Sequence, residues 1–176
     1  DEGLNTGGMG TVAPNPCYTP AIAAESMEKI FLPTVAAMQA EGCPFKGCLY
    51  FGLMLTPDGP KVIEYNCRFG DPETQVVLPL LESDLLTVMQ ACTNGTLDKT
   101  EVKFSDGAAA CVVLASGGYP VAYEKGKEIT GLENGQVPGA ADVTVYHAGT
   151  AIKDGKLVTN GGRVLGVTAT AATLPG

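Results

Sequence analysis

The sequence predicts an α+β fold in which a part with helices and antiparallel strands precedes a β-rich part. Apolar residues recur with helical spacing over residues 21–40, and strand-like runs follow over residues 46–67. Past residues 95–107 the chain consists of short β-like runs separated by glycine-containing breaks. We therefore predict two domains, residues 1–100 and residues 101–176.

The first elements are predicted to be a loop and an interrupted helix. Residues 1–16 are rich in Gly, Pro and Asn, which predicts a loop. Thr19 followed by Pro20 is typical of a helix start, because the hydroxyl caps the first turn and Pro needs no N–H partner there. Pro33 interrupts the apolar pattern, so we expect a kink or two abutting helices.

A β-hairpin and further helices are predicted next. Lys46–Thr56 and Lys61–Cys67 are strand-like, and the four residues between them have turn chemistry. An Asp-Pro pair then introduces a helix from Glu73. Residues 78–92 predict two helical segments broken near Glu82–Ser83, and an Asn-Gly pair ends the second one.

The second part is predicted to contain short strands and no long helix. His147, the only histidine, lies there, far in sequence from every other polar cluster, so we expect it to have a structural, hydrogen-bonded role. The predicted strands are residues 107–115, 142–148, 157–160 and 163–170.

Charge and cysteine content limit the possible partners and the compartment. The net charge of −8 lies entirely in residues 1–98, and because an acidic chain repels phosphates we expect no nucleic-acid partner. The six cysteines are irregularly spaced without a CxxC pair, which predicts reduced, buried thiols. With no long apolar run and no signal peptide, we expect a cytoplasmic protein without membrane contact.

The run KVIEYNCR over residues 61–68 is the most informative for chemistry. Because strand side chains alternate, Glu64, Asn66 and Arg68 are predicted to share one face. A carboxylate and an amide oxygen suit Mg²⁺, and the arginine offers a fixed fork of donors for a phosphate or carboxylate. A solvent-exposed face with an incidental Glu–Arg pair is the alternative.

Two neighbouring features bear on this interpretation. Asp71 and Glu73 follow the strand at a predicted helix N-terminus, where N–H groups create a positive potential, although Asp71 could be only an N-cap. The second feature is the run NTGGMG over residues 5–10, whose glycines let the backbone approach a ligand closely. From spacing alone, a plain surface turn explains that run equally well.

The motifs NTGGMG, GCLYFGLMLTPDGPKVIEYNCRFGDPETQ, GGYP, YHAGT and TNGGRVLGVTA together resemble those of the phosphoribosylamine–glycine ligases (glycinamide ribonucleotide synthetases), which are ATP-grasp enzymes of purine synthesis. The resemblance implies the later half of a grasp domain followed by a small, barrel-like β-rich C-terminal domain. It also implies a ligase that joins glycine to phosphoribosylamine through glycyl phosphate, using ATP and Mg²⁺ or Mn²⁺.

Site residues are carried over by matching positions. The resemblance implies Glu64 and Asn66 as metal ligands, with Asn66 and Arg68 facing the nucleotide phosphates. It implies that Arg68 holds the acyl phosphate or the transferred phosphoryl group and that Asp71 belongs to the catalytic residues. The loop would line the substrate side of the pocket through Asn5, Gly7, Gly8, Met9 and Gly10, with Asp1 just before it.

The resemblance also implies partners. The small molecules are ATP, glycine and phosphoribosylamine, and an N-terminal part of the same polypeptide is expected to supply the adenine pocket. Another ATP-grasp carboxylate–amine ligase or carboxylase, and a non-catalytic metal- or anion-binding module, are the alternatives.

We predict that these 176 residues alone do not turn over. The expected adenine pocket and lid precede residue 1 in the family pattern, so ATP would not be held. ADP release with ATP, glycine and phosphoribosylamine should therefore stay at the background rate. Full steady-state activity from the isolated chain would refute this prediction.

Overall fold

A computed structural model describes residues 2–175 and has a mixed α+β architecture with antiparallel sheets, which confirms the predicted fold class. The expected barrel-like arrangement is not found in these residues, whose strands form open sheets and no closed barrel. Its main elements are β1 (Gly10–Ala13), α1 (Pro20–Ser26), α2 (Leu32–Ala40), β2 (Tyr50–Thr56), β3 (Gly59–Asn66), α3 (Thr74–Val77), α4 (Leu85–Asn94), β4 (Ala108–Ala115), β5 (Val143–His147), β6 (Thr150–Lys153), β7 (Lys156–Thr159) and β8 (Arg163–Ala171).

The chain divides into two compact units. The sheet unit contains the described parts of residues 1–13, 71–80 and 105–176, and the hairpin unit contains residues 14–70 and 81–104. Both units therefore combine segments that are distant in sequence.

In the sheet unit, four antiparallel strands lie in the order β1-β4-β8-β5. Small residues on one face of β4 let the short helix α3 pack closely, so that Val76, Ala109 and Cys111 form a buried cluster. A second buried cluster, Val145, Val164 and Leu165, lies between β5 and β8. Strands β6 and β7 form a separate hairpin in this unit.

Two strands of this unit were not predicted. Strand β1 lies inside the predicted loop of residues 1–16, and it pairs with β4 from Gly10↔Val112 to Ala13↔Ala109. Four residues beside two prolines give little local signal, and the pairing partner is about a hundred residues away, so only tertiary contact defines this strand. The other is β6, which is too short for its alternation to be recognised.

The helical part of the hairpin unit matches its prediction. The Thr19 side chain accepts a hydrogen bond from the N–H of Ile22, and Pro20 follows at the first helical position. Before Pro33 the chain widens into a π-helical turn over Met27–Phe31, after which α2 continues. The interruption is expected because proline lacks an N–H and its ring displaces the preceding turn.

The hairpin of β2 and β3 is confirmed, but the predicted four-residue turn is wrong. Thr56 pairs with Gly59 and Leu55 with Pro60, so Pro57 and Asp58 alone form the turn. Gly59 has a φ of +89°, which a residue with a side chain rarely adopts, and this conformation lets the strand begin there. Strand β2 begins at Tyr50 rather than at residue 46.

The first of the later helices, α3, is shorter than predicted, and the second, α4, matches its prediction. Helix α3 has four residues and continues as a 3₁₀ turn over Leu78–Leu80. Helix α4 begins after Asp84, whose carboxylate accepts from the Thr87 N–H, and this bond holds the pKa of Asp84 below its usual value. Gly95 ends α4 with a φ of +70°. None of the helices in residues 2–175 could cross a membrane.

The cysteine prediction holds for only part of the set. Cys111 is buried, but Cys17, Cys43 and Cys67 are exposed, because none of these three lies within a two-sided core strand.

His147 has the structural contacts that were expected: Nε2 donates to the carbonyl of Gly135 at 3.0 Å, and Nδ1 lies 3.3 Å from the Thr150 hydroxyl.

The buried cluster under β4 should be sensitive to truncation. Val76 is 1% exposed, so Val76→Ala removes two buried methyl groups and should lower the free energy of unfolding by about 2 kcal/mol. Val112 on the opposite face of β4 is 63% exposed, and Val112→Ala should change it by less than about 0.5 kcal/mol. Urea titration of both variants tests this, and equal effects would contradict the packing described.

Candidate functional site

The polar pair predicted on β3 is present. Asn66 Nδ2 donates to Glu64 Oε1 at 3.0 Å, so the two side chains lie side by side on one face of the strand. Glu64 pairs with Gly52 of β2, and a Cβ on Gly52 would lie 2.8 Å from the Glu64 Cγ. The glycine therefore leaves the space that the Glu64 side chain occupies.

The donor set of this pair fits a magnesium ion. The bond from the Asn66 amide nitrogen leaves the amide oxygen and Glu64 Oε2 as acceptors on the same face. Within residues 2–175 no group of three or more His, Cys, Asp or Glu side chains could hold a metal ion. Two oxygen ligands suit Mg²⁺ because that ion retains water and substrate phosphate in its other positions.

Arg68 does not continue the strand face as predicted. Strand β3 ends at Asn66, and Arg68 lies in the bend that follows, where Nη1 donates to the carbonyl of Phe69 at 2.9 Å. The alternation of side chains stops where the ladder to β2 stops, so the predicted three-residue alignment is wrong at its third member. Arg68 remains exposed two residues from the pair.

Arg68 borders a largely apolar cavity of about 660 Å³ in the hairpin unit. Lys46 is on the same cavity wall, and its Nζ donates to the carbonyl of Thr93 at 3.0 Å. Burial raises the pKa of the Cys48 thiol, with a smaller contribution from Cys92, which keeps that thiol protonated. The cavity is lined by Lys46, Gly47, Cys48, Leu49, Arg68, Phe69, Leu85, Val88, Met89, Cys92, Thr93 and Leu97.

Asp71 is not a helix cap. Glu73 precedes the first residue of α3, and a four-residue helix has little dipole to offer. The Asp71 carboxylate instead accepts from Gln75 Nε2 at 2.7 Å and from Arg163 Nη2 at 2.8 Å. Glu73 has the predicted position at a helix N-terminus, but the prediction is wrong for Asp71, where an ion pair with Arg163 within the sheet unit takes its place.

The glycine loop is held by side chains from the far end of the sequence. The N–H of Gly7 donates to Tyr119 Oη at 3.0 Å, and Arg163 Nη1 donates to the carbonyl of Gly8 at 3.0 Å. A side chain at Gly8 would overlap the ring of Pro72. Directly before β1, the carbonyl of Met9 accepts from the N–H of Val113 at 2.9 Å.

The predicted site residues fall into two groups, one in each unit. Glu64, Asn66 and Arg68 belong to the hairpin unit, while Asp71 and the glycine loop belong to the sheet unit. Asn5 is exposed, and Asp1 lies outside the described residues.

Sequence reasoning missed two residues of the sheet unit, Tyr119 and Arg163. The sequence feature that could have indicated Arg163 is its position directly after Gly161-Gly162, at the start of an apolar strand. A cation there is unusual, because a strand that is buried on both faces normally begins with apolar residues.

Two family models match the chain. The ATP-grasp (A) domain of phosphoribosylglycinamide synthetase matches residues 1–74, and the C domain of the same enzyme matches residues 109–176. The first match includes the polar pair on β3 and the glycine loop, and the second includes β5 to β8 and nearly all of β4.

Known proteins are similar over nearly the whole chain. The phosphoribosylamine–glycine ligase of Caldanaerobacter subterraneus is 53% identical over 96% of this chain and 39% of its own length. The trifunctional purine biosynthetic protein adenosine-3 of Gallus gallus is 55% identical over 96% of this chain and 17% of its own length. The crystal structure of the Thermotoga maritima phosphoribosylamine–glycine ligase superposes with a TM-score of 0.82 at 42% identity, covering 99% of this chain and 42% of that one.

The mixed α+β fold and the matching domain models place this chain in the class of ATP-grasp ligases, which in general use ATP and a divalent metal. Within that class, the chain belongs to the phosphoribosylglycinamide synthetase family. It spans about two fifths of the length of the phosphoribosylamine–glycine ligases that it matches.

The contact between the loop and Pro72 gives a stability prediction. Gly8→Ala places a methyl group where the Pro72 ring lies, so the free energy of unfolding should fall by about 1–3 kcal/mol. Gly3→Ala is the matched control, because a Cβ on Gly3 meets nothing within 4 Å. Chemical denaturation of both variants checks the difference, and a neutral Gly8→Ala would contradict the close approach of Pro72 to the loop.

Proposed function

We propose that this chain serves the ATP-dependent joining of glycine to 5-phosphoribosylamine in purine biosynthesis and that it carries the metal-binding residues of that reaction. The single observation that carries the proposal is the Glu64–Asn66 pair on β3, inside the segment that matches the ATP-grasp domain model. The names of the relatives supply the substrates.

The reaction has two chemical steps. A carboxylate oxygen of glycine attacks the γ-phosphorus of ATP, the bond to the β-phosphate oxygen breaks, and ADP leaves. The amine of phosphoribosylamine then attacks the carbonyl carbon of glycyl phosphate, phosphate leaves with the electrons of the C–O bond, and the amine loses a proton. In both steps, positioning and charge neutralisation supply most of the rate enhancement.

In this proposal the residues of the hairpin unit bind and orient the phosphates. Glu64 and Asn66 would hold Mg²⁺ or Mn²⁺, and the ion would supply charge neutralisation for phosphate oxygens. Arg68 uses one Nη1 donor on the carbonyl of Phe69, which leaves the other side of its fork for the acyl phosphate or the transferred phosphoryl group.

In this proposal the sheet unit supplies the substrate side. The loop residues Asn5, Gly7, Gly8, Met9 and Gly10 line it, together with Asp1. Asp71 belongs to the same group. Because both of its carboxylate oxygens accept hydrogen bonds from protein side chains, we propose that it acts by holding Gln75 and Arg163 in position. The assignment of residues 1–100 to the grasp domain and 101–176 to the C-terminal domain also stays a proposal.

The metal assignment predicts a specific loss. In the full-length protein, Glu64→Gln removes the anionic oxygen while keeping the shape of the side chain, so metal binding weakens. Turnover measured as ADP release should fall by at least about a hundredfold at low millimolar magnesium, as expected for loss of a charged group that stabilises the transition state. Part of the loss should be recovered by raising the magnesium concentration.

Glu28→Gln is the control, because Glu28 is an exposed carboxylate of the same unit outside the proposed site. That variant should retain the parent rate and magnesium dependence. An unchanged magnesium dependence in Glu64→Gln would overturn the metal assignment. Assays with glycine, bicarbonate and formate as alternative substrates distinguish this ligase from other ATP-grasp enzymes. Turnover with bicarbonate or formate instead of glycine would contradict the proposed substrate.

A further inference from the structure

Arg163 joins three separate segments of the sheet unit. From the first residue of β8 its guanidinium donates to the carbonyl of Gly8 at 3.0 Å, to the carbonyl of Asp71 at 2.8 Å and to Asp71 Oδ2 at 2.8 Å. We propose that Arg163 is a positioning residue that, together with Tyr119, fixes the conformation of the glycine loop at residues 7 and 8. The functional part of this inference rests on the proposed function, which assigns the loop to the substrate side.

The hydrogen-bonding capacity of Arg163 is directed to the protein itself. Both Nη1 hydrogens are used on the two backbone carbonyls, and one Nη2 hydrogen is used on the Asp71 carboxylate. The Arg163 side chain is 25% exposed, so these charge-assisted bonds are only partly screened by water. A lysine, with a single compact ammonium group, cannot reproduce this planar fork.

The backbone that carries Arg163 is itself held on two sides. The carbonyl of Gly162 accepts from Ser116 N–H at 2.8 Å, and the carbonyl of Arg163 accepts from Gly149 N–H at 3.0 Å. A Cβ on Gly161 would lie 2.8 Å from the Cα of Gly149, so the two chain segments are in direct contact. A side chain that starts from such a fixed point can hold the loop in one position.

Tyr119 holds the preceding residue of the loop. Its hydroxyl oxygen accepts from the N–H of Gly7 at 3.0 Å, and its ring packs on Gly162 so closely that any side chain there would overlap it. The ring of Tyr123 also lies beside Gly162, with its centroid 6.1 Å from that of the Tyr119 ring. The N–H of Gly7 and the carbonyl of Gly8 are therefore each bonded to a different side chain.

The test uses four variants: Arg163→Lys, Arg163→Gln, Tyr119→Phe and, as control, Lys125→Gln, which changes an exposed cation elsewhere in the same unit. Amide hydrogen exchange of the loop is measured in the isolated chain and in the full-length protein. Steady-state KM values for glycine, phosphoribosylamine and ATP, and kcat, are measured in the full-length protein.

Tyr119→Phe should speed exchange at the Gly7 amide by up to about tenfold, because one neutral hydrogen bond is lost. Arg163→Lys and Arg163→Gln should both release the Gly8 carbonyl and so speed amide exchange in the loop. They should also raise KM for glycine or phosphoribosylamine by about tenfold to a hundredfold, because charged hydrogen bonds are lost. KM for ATP should stay near the parent value. Lys125→Gln should change none of these quantities.

Each other result contradicts an identified part of the inference. Unchanged loop exchange in the Arg163 variants overturns positioning, and a raised KM with unchanged exchange assigns Arg163 to direct substrate contact instead. Faster exchange with unchanged KM values supports positioning but overturns the placement of the loop in the substrate pocket, and so separates this inference from the proposed function. Arg163→Lys behaving like the parent protein overturns the requirement for the planar fork.

Discussion

The antiparallel pairing of β4 with β8 is the interaction on which the sheet unit depends. It runs from Ala108↔Ala171 to Ala115↔Arg163, and each strand has a further partner on its outer side, β1 and β5 respectively. Because β1 pairs with β4, the glycine loop just before β1 is brought to the end of the sheet where β8 begins. Arg163 is the first residue of β8, so the pairing brings its guanidinium within reach of that loop.

The hairpin unit depends on a comparable local constraint. Gly52 pairs with Glu64 in a two-stranded ladder, and its missing side chain leaves room for the carboxylate. On the opposite side of β3, Tyr65 packs against Phe51 with ring centroids 5.3 Å apart, and Phe51 contacts Phe31 of the π-helical turn. The aromatic contacts hold one face of the strand, while the polar pair occupies the other face.

Features with local causes could be predicted from the sequence, and features with distant causes could not. The Thr19 cap, the interruption at Pro33 and the αL end at Gly95 each follow from one or two adjacent residues. Glu64 and Asn66 were found because two-residue alternation holds inside β3, and Arg68 was misplaced because the strand ends before it. Strand β1 and the Arg163–Asp71 pair join residues about 90 to 100 positions apart, and no local sequence pattern predicts such contacts.

The two arginines of the chain differ in how their donors are used, and this difference suits them to different tasks. Arg163 has three hydrogen bonds to protein acceptors and is one-quarter exposed, so its charge is already balanced by Asp71. Arg68 is exposed and, within the described residues, donates one bond to the neighbouring carbonyl of Phe69. An anionic ligand gains more from a guanidinium whose charge is not yet balanced. This difference supports the proposed phosphate contact of Arg68 and the proposed positioning role of Arg163.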